Sequence, residues 1–147
     1  MGVLADEYLR LGGHVIGVIP SFMEPWEVKH TGIQECYVTE TMHSRKQKMA
    51  ELADGVIALP GGFGTLDELF EMLTWKQLDL HQMPISILNT NGYYDHLLAQ
   101  LQHMVDEGFL KSPNLEALQV ETNPEALVDY IMAYEPEKME KKWIYRG

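Results

Sequence analysis

Residues 56–68 read Val56-Ile57-Ala58-Leu59-Pro60-Gly61-Gly62-Phe63-Gly64-Thr65-Leu66-Asp67-Glu68, an apolar run, a glycine cluster and the opening of an amphipathic segment. The run before Pro60 has the composition of a short strand covered on both faces. Beyond the glycines, Leu66, Leu69, Phe70, Leu73 and Gln77 recur at helical spacing and lay out one mainly apolar side. Glycines at such a strand-to-helix junction let the backbone approach a ligand closely and adopt positive φ. The free N–H groups of the first helical turn then favour an anion, most commonly a phosphate. A plainer reading competes for the same residues. Thr65-Leu66-Asp67-Glu68 is also a capping box, with Thr65 as N-cap and Glu68 reaching back to its backbone N–H. Neither common nucleotide fingerprint fits: a Walker A loop ends in Gly-Lys-Ser/Thr, yet no lysine follows Gly64 until Lys76. The dinucleotide fingerprint would place its third glycine further on than Gly64.

Outward from this junction, strands and helices alternate. Strands are expected over residues 14–19, 36–39, 56–59, 84–88 and 118–120. Helices are expected over residues 1–11, from a cap at Thr39 or Thr41 to about 53, then 65–80, 93–107 and 124–134. Gly12-Gly13 and Gly108 stop two of them, and Pro124 opens the last. Residues 21–34 form a loop. The pattern predicts an α/β fold, a Rossmann-like three-layer αβα arrangement with a parallel sheet and helices on both faces. Residues 1–134 would form a single nucleotide-binding domain, and residues 135–147 a charged, loosely held tail. The chain opens on a helix with no strand before it, as though the N-terminal β-α-β segment of such a fold were missing.

Composition narrows the partners. The 147 residues suit one domain, and 22 acidic against 11 basic residues leave a formal net charge of −11. Such a field repels nucleic acid and anionic membrane, so neither is an expected partner. Cys36 is the sole cysteine, which excludes an intrachain disulfide and points to a reducing, cytoplasmic setting. No apolar run approaches the length of a membrane span, and no signal-peptide pattern is present. The six histidines show no i, i+4 pairing of a helical zinc site, so no metal is expected.

The second cluster is Met42-His43-Ser44-Arg45-Lys46-Gln47-Lys48. A cation near the start of a helix opposes the macrodipole, so Arg45 should have a partner, either a carboxylate of the fold or a ligand phosphate. The alternative is a solvated basic face on an acidic protein. In the loop, Trp26 beside Glu27 could stack on a base and accept from its exocyclic amine, or could simply anchor the loop.

With Pro60-Gly61-Gly62-Phe63-Gly64-Thr65-Leu66-Asp67-Glu68 and Met42-His43-Ser44-Arg45-Lys46 taken together, the chain resembles the LOG (Lonely Guy) family, the cytokinin riboside 5′-monophosphate phosphoribohydrolases. Their signature, Pro-Gly-Gly-x-Gly-Thr-x-x-Glu, follows a Met-His-x-Arg-Lys motif at the spacing seen here. Gly13-His14-Val15-Ile16-Gly17-Val18-Ile19-Pro20, Leu73-Thr74-Trp75, Asn91-Gly92-Tyr93-Tyr94 and Glu107-Gly108-Phe109 also match. The resemblance implies hydrolysis of the N-glycosidic bond of AMP or an N6-substituted analogue such as N6-isopentenyl-AMP, without cofactor or metal. It implies Arg45 and Glu68 as the catalytic pair. Gly61, Gly62, Gly64 and Thr65 would hold phosphate and ribose, with Glu27, Lys46 and Thr74 completing the site. It further implies a homodimer with both subunits contributing to the site.

Two rivals stand beside this reading. One is a non-catalytic nucleotide or molybdenum-cofactor carrier, which the presence of both Arg45 and Glu68 disfavours. The other is the lysine decarboxylase label often attached to the family, for which no lysine here has an evident pyridoxal phosphate setting.

Overall fold

The computed structural model describes residues 1–26, 30 and 32–136. Two compact units divide the chain, Met1–Ala53 and the chain from Asp54 onward. Each is an α/β body, and every strand pair in both is parallel, as the alternation of elements predicts.

In the first unit, α1 (Gly2–Arg10) precedes β1 (Ile16–Pro20), a 3-10 turn at Ser21–Trp26, β2 (Glu35–Thr39) and α2 (Met42–Leu52). β1 and β2 pair in parallel, with Val18 opposite Tyr37. Gly12, at φ +82, ends α1, because it lets the Gly13 N–H reach back to the Tyr8 carbonyl at 2.8 Å. α1 is present as expected, but its apolar residues Val3, Leu4, Tyr8 and Leu11 are all exposed.

The second unit runs β3 (Val56–Ala58), α3 (Phe63–Gln77), β4 (Ile85–Leu88), a 3-10 turn at Thr90–Gly92, α4 (Asp95–Asp106), α5 (Ser112–Glu116), β5 (Leu118–Glu121) and α6 (Pro124–Ala133). Its sheet has the order β3-β4-β5. α3 connects β3 to β4, α4 and α5 connect β4 to β5, and α6 packs against β4 and β5, in keeping with a Rossmann-like layering. β4 is the strand covered on both faces, with Ile85, Ser86 and Ile87 all at 0% exposure. β3, expected to be covered on both faces, is an edge strand of this sheet and leaves Ile57 40% exposed. The buried stripe of α3 is Leu69, Met72 and Lys76, and Leu101 of α4, Leu118 of β5 and Leu127 of α6 are buried as well. Helix α5 was not anticipated from the sequence; Pro113 and a single turn of chain give too little periodicity to register.

α3 ends in a left-handed Asp79 (φ +61), with Asp79 N–H to Lys76 O at 3.0 Å and Leu80 N–H to Trp75 O at 2.9 Å. The helix therefore stops at Gln77, short of the expected residue 80. Below that end lies a buried polar knot. Lys76 donates from Nζ to the Met83 carbonyl at 2.6 Å and to the Tyr134 hydroxyl at 2.9 Å. His81 accepts the Met83 N–H at Nδ1 (3.2 Å), so its Nε2–H donates to the Met72 carbonyl at 2.9 Å. Burial pushes the His81 pKa down, and the Lys76 charge adds to that, which keeps the ring neutral.

Candidate functional site

The glycine loop leaves β3 and enters α3, as the sequence predicts, but the helix opens differently. It starts at Phe63 with Gly62 as N-cap, in extended backbone at φ −97 and ψ −151, and no side chain caps it. Its first backbone bond runs from Leu66 N–H to the Gly62 carbonyl at 3.1 Å. Thr65 thus lies within the first turn, and the Thr65–Glu68 capping box does not form. Gly61 makes this possible: a Cβ there would fall 2.1 Å from the Thr65 Oγ1 that folds against it. The expected positive φ is not used either, since the left-handed glycines are Gly12, Gly92 and Gly108. Gly62 and Gly64 have a different character. A Cβ at either would meet nothing within 4 Å, so no packing among the described residues requires glycine there. Their bare backbone faces open space at a helix end whose N–H groups carry partial positive charge.

Glu68 is one turn beyond Thr65 on the same side of α3 and is half-buried. The structure therefore brings Gly61, Gly62, Gly64, Thr65 and Glu68 to one end of one helix. Thr74 does not join them: at about 1.5 Å per residue it lies roughly 14 Å beyond Thr65 and roughly 9 Å beyond Glu68 along α3. Its hydroxyl donates to the Phe70 carbonyl at 2.7 Å.

In the first unit, Arg45 sits in the opening turns of α2, half-buried, with Nε donating to the Val18 carbonyl of β1 at 3.0 Å. The guanidinium lies against the sheet, so the solvated basic face is not realised at this residue. The helix start around it is sealed. Thr41 accepts the Ser44 N–H and Ser44 Oγ accepts the Thr41 N–H, both at 3.0 Å. This complete capping box settles the choice between Thr39 and Thr41 as N-cap. Lys46 is half-buried, whereas Lys48 is held by Glu51 at 3.4 Å and lies 4.8 Å over the Tyr37 ring. Glu27 lies outside the described residues.

Sequence reasoning missed two residues at the glycine loop. The Tyr93 hydroxyl donates to the Gly61 carbonyl at 2.7 Å, and the Tyr94 hydroxyl to the Leu59 carbonyl at 2.5 Å. The signal available was Asn91-Gly92, a dipeptide that favours a left-handed turn and so can redirect the side chains that follow. Among the described residues, no group of three or more His, Cys, Asp or Glu could hold a metal ion. No helix among them is long and apolar enough to cross a membrane.

Comparison with known proteins finds relatives across most of the chain. A family described as "Possible lysine decarboxylase" matches residues 1–131. Cytokinin riboside 5′-monophosphate phosphoribohydrolase LOG7 of Arabidopsis thaliana is 42% identical over 137 residues, covering 93% of this chain and 63% of the relative. The LOG1 protein of the same plant is 40% identical over 149 residues, covering 97% and 69%. The cytokinin riboside 5′-monophosphate phosphoribohydrolase of Rhodococcoides fascians is 51% identical over 111 residues, covering 75% and 56%. The chain thus spans between 56% and 69% of the length of these relatives. On these matches, and on the glycine loop and Arg45-Lys46 segment that carry its signature, the chain belongs to the LOG family.

Proposed function

We propose that the protein hydrolyses the N-glycosidic bond of adenosine 5′-monophosphates, plain or N6-substituted, to free base and ribose 5-phosphate. The observation that carries this reading is the uncapped start of α3, where Gly62 and Gly64 expose bare backbone one turn before Glu68. Relatives named for this activity on cytokinin riboside monophosphates support the choice of substrate class.

In this reading the N–H groups of the first turn of α3, with Gly61, Gly62, Gly64 and Thr65, receive the 5′-phosphate and ribose. Cleavage of the C1′–N9 bond leaves its electron pair on the base and an oxocarbenium-like sugar, which the Glu68 carboxylate stabilises. Water then attacks C1′ and loses a proton to Glu68, and that proton passes on to the departing base, which returns Glu68 to its carboxylate. Arg45 bears on the phosphate or the leaving base as a charge-assisted donor. Lys46, Glu27 and Thr74 complete the site, and a homodimer allows residues distant along one chain, Thr74 among them, to serve a partner's site. The sole cysteine and the net charge of −11 support a cytoplasmic enzyme that does not engage nucleic acid.

Lys76 supports setting the decarboxylase label aside, because its ammonium is buried and engaged by the Met83 carbonyl and the Tyr134 phenol. The test is release of free base from AMP and N6-isopentenyl-AMP, followed by chromatography. Arg45→Ala and Glu68→Gln are each expected to lower kcat by roughly 100- to 10,000-fold. Binding without release would instead favour the carrier.

A further inference from the structure

The Asn91-Gly92-Tyr93-Tyr94 segment has no part in the mechanism above, yet it is built with unusual care and ends on the glycine loop. Its base is Asn89, directly after β4 and only 6% exposed. Asn89 donates its backbone N–H to the Glu121 carbonyl at 2.7 Å, its Oδ1 accepts the Tyr94 N–H at 2.7 Å, and its Nδ2 donates to Asp95 Oδ1 at 2.8 Å. Between these anchors the chain takes two consecutive left-handed residues, Asn91 at φ +53 and Gly92 at φ +71. Only a residue without a Cβ fits at the second, where a Cβ would lie 2.5 Å from Asp95 Oδ2. A left-handed pair is energetically unfavourable for an L-chain and persists where the surroundings over-determine it.

The result of this turn is a pair of phenols aimed at the end of β3. Tyr94 is 2% exposed and reaches the Leu59 carbonyl; Tyr93 packs edge-on against it with ring centroids 4.9 Å apart and reaches the Gly61 carbonyl. The two hydroxyls thus hold the carbonyls on either side of Pro60. The consequence follows from peptide planarity. The Gly61 carbonyl and the Gly62 N–H belong to one rigid trans unit and point in opposite directions. Fixing the carbonyl on Tyr93 therefore fixes where the Gly62 N–H points, at a glycine whose backbone would otherwise turn freely. Burial, with Tyr93 beside it, pushes the Tyr94 pKa up, so that this phenol keeps its proton and continues to donate.

We propose that Tyr93 and Tyr94 are positioning residues that preset the glycine loop for a 5′-phosphate, Tyr93 by orienting the Gly61–Gly62 peptide and Tyr94 by anchoring the strand end before it. This rests on the phosphoribohydrolase reading for the identity of the ligand, but not for the clamp itself. Preset donors bind phosphate in the ground state and the transition state alike, so their loss should raise KM and leave kcat nearly unchanged.

The test compares wild type with Tyr93→Phe, Tyr94→Phe and the double variant, which keep the rings and remove the hydroxyls. KM and kcat for AMP hydrolysis are measured, together with a 15N-resolved titration with ribose 5-phosphate that follows the Gly62 and Gly64 amides. Tyr93→Phe is expected to raise KM roughly 3- to 10-fold, the equivalent of one hydrogen bond, with kcat within about 2-fold. The ribose 5-phosphate Kd should weaken in parallel, with smaller amide shifts. A lowered Tm with unchanged KM and Kd would overturn the proposal and leave the hydrolase intact. If wild type hydrolyses neither AMP nor N6-isopentenyl-AMP, the enzymatic reading fails, and the titration still decides the clamp. Weakened binding in the variants would then support it, and equal binding, or no wild-type shift at Gly62 and Gly64, would overturn it.

Discussion

Helices α2 and α3 begin within a few residues of the family's two signature motifs, and they begin in opposite ways. At α2 the N–H groups of Ser44 and Thr41 are met by the chain itself, through the reciprocal Thr41–Ser44 box. At α3 the cap is Gly62, no side chain closes the end, and the neighbouring glycines have no Cβ to shield it. An α-helix leaves its first N–H groups unsatisfied unless something answers them. The sealed end of α2 is a matter of stability, and it holds the turn from which Arg45 reaches Val18. The open end of α3 forgoes that stability and leaves donors and dipole available to an anion. A helix start can serve the fold or a ligand, and the side chain at the cap decides between them.

Substitutions at the two ends should separate these roles. The largest effect is expected at Gly61, whose added Cβ would strike the Thr65 hydroxyl and the loop behind it. Gly61→Ala should destabilise by about 1–3 kcal/mol and also reduce AMP turnover, read by denaturant melts and the base-release assay. Thr41→Ala removes the α2 cap and should cost about 1 kcal/mol, a fall in Tm of roughly 2–4 °C. Gly64→Ala sharpens the contrast. Its φ is negative and its Cβ would meet nothing, so the melt should shift upward by about 0.4–1 kcal/mol while KM for AMP rises. A Gly64→Ala protein that gains stability and keeps its KM would remove the case for an open end.

The far end of α3 supplies a smaller, pH-dependent effect. His81 must be neutral at Nδ1 to accept the Met83 N–H, and its folded pKa lies below the ordinary value of 6.5. The unfolded chain therefore binds the proton more readily, and stability rises with pH through this window. The contribution is complete above about 6.5 and is lost as pH falls below it toward the lowered folded value. The Tm difference between wild type and His81→Ala should be widest near about pH 7.5 and shrink toward about pH 5. A difference that stays constant across that range would show that His81 does not hold the knot through its neutral ring.

Much of the fold was legible because it is written in local periodicity. The apolar runs at β1, β3 and β4, the amphipathic spacing of α3 and α4, and the glycines at 12 and 108 each act within a few residues. The candidate site was legible for a second reason, since Pro60 to Glu68 and Arg45-Lys46 carry a specific pattern. What misled was a local rule applied at a place built for something else. Thr65-Leu66-Asp67-Glu68 has the letters of a capping box, but the helix had already begun at Phe63. The coverage of β3 was misjudged because an apolar run does not reveal whether its strand is central or at an edge, and the sheet order put β4 in the middle.

The sequence alone determined the alternation of strand and helix, the parallel pairing that follows from it, and the family to which the glycine loop belongs. Short-range sterics, spacing and motif chemistry are sufficient for all three. Only the tertiary structure decided how the loop is held. Tyr93 and Tyr94 meet Gly61 and Leu59 across 32 and 35 residues of chain, through a left-handed turn pinned by Asn89 to β5. Contacts at that separation leave no periodic trace in a sequence. They exist because β4 lies beside β3 in the sheet, which brings the segment after one strand to the loop after the other.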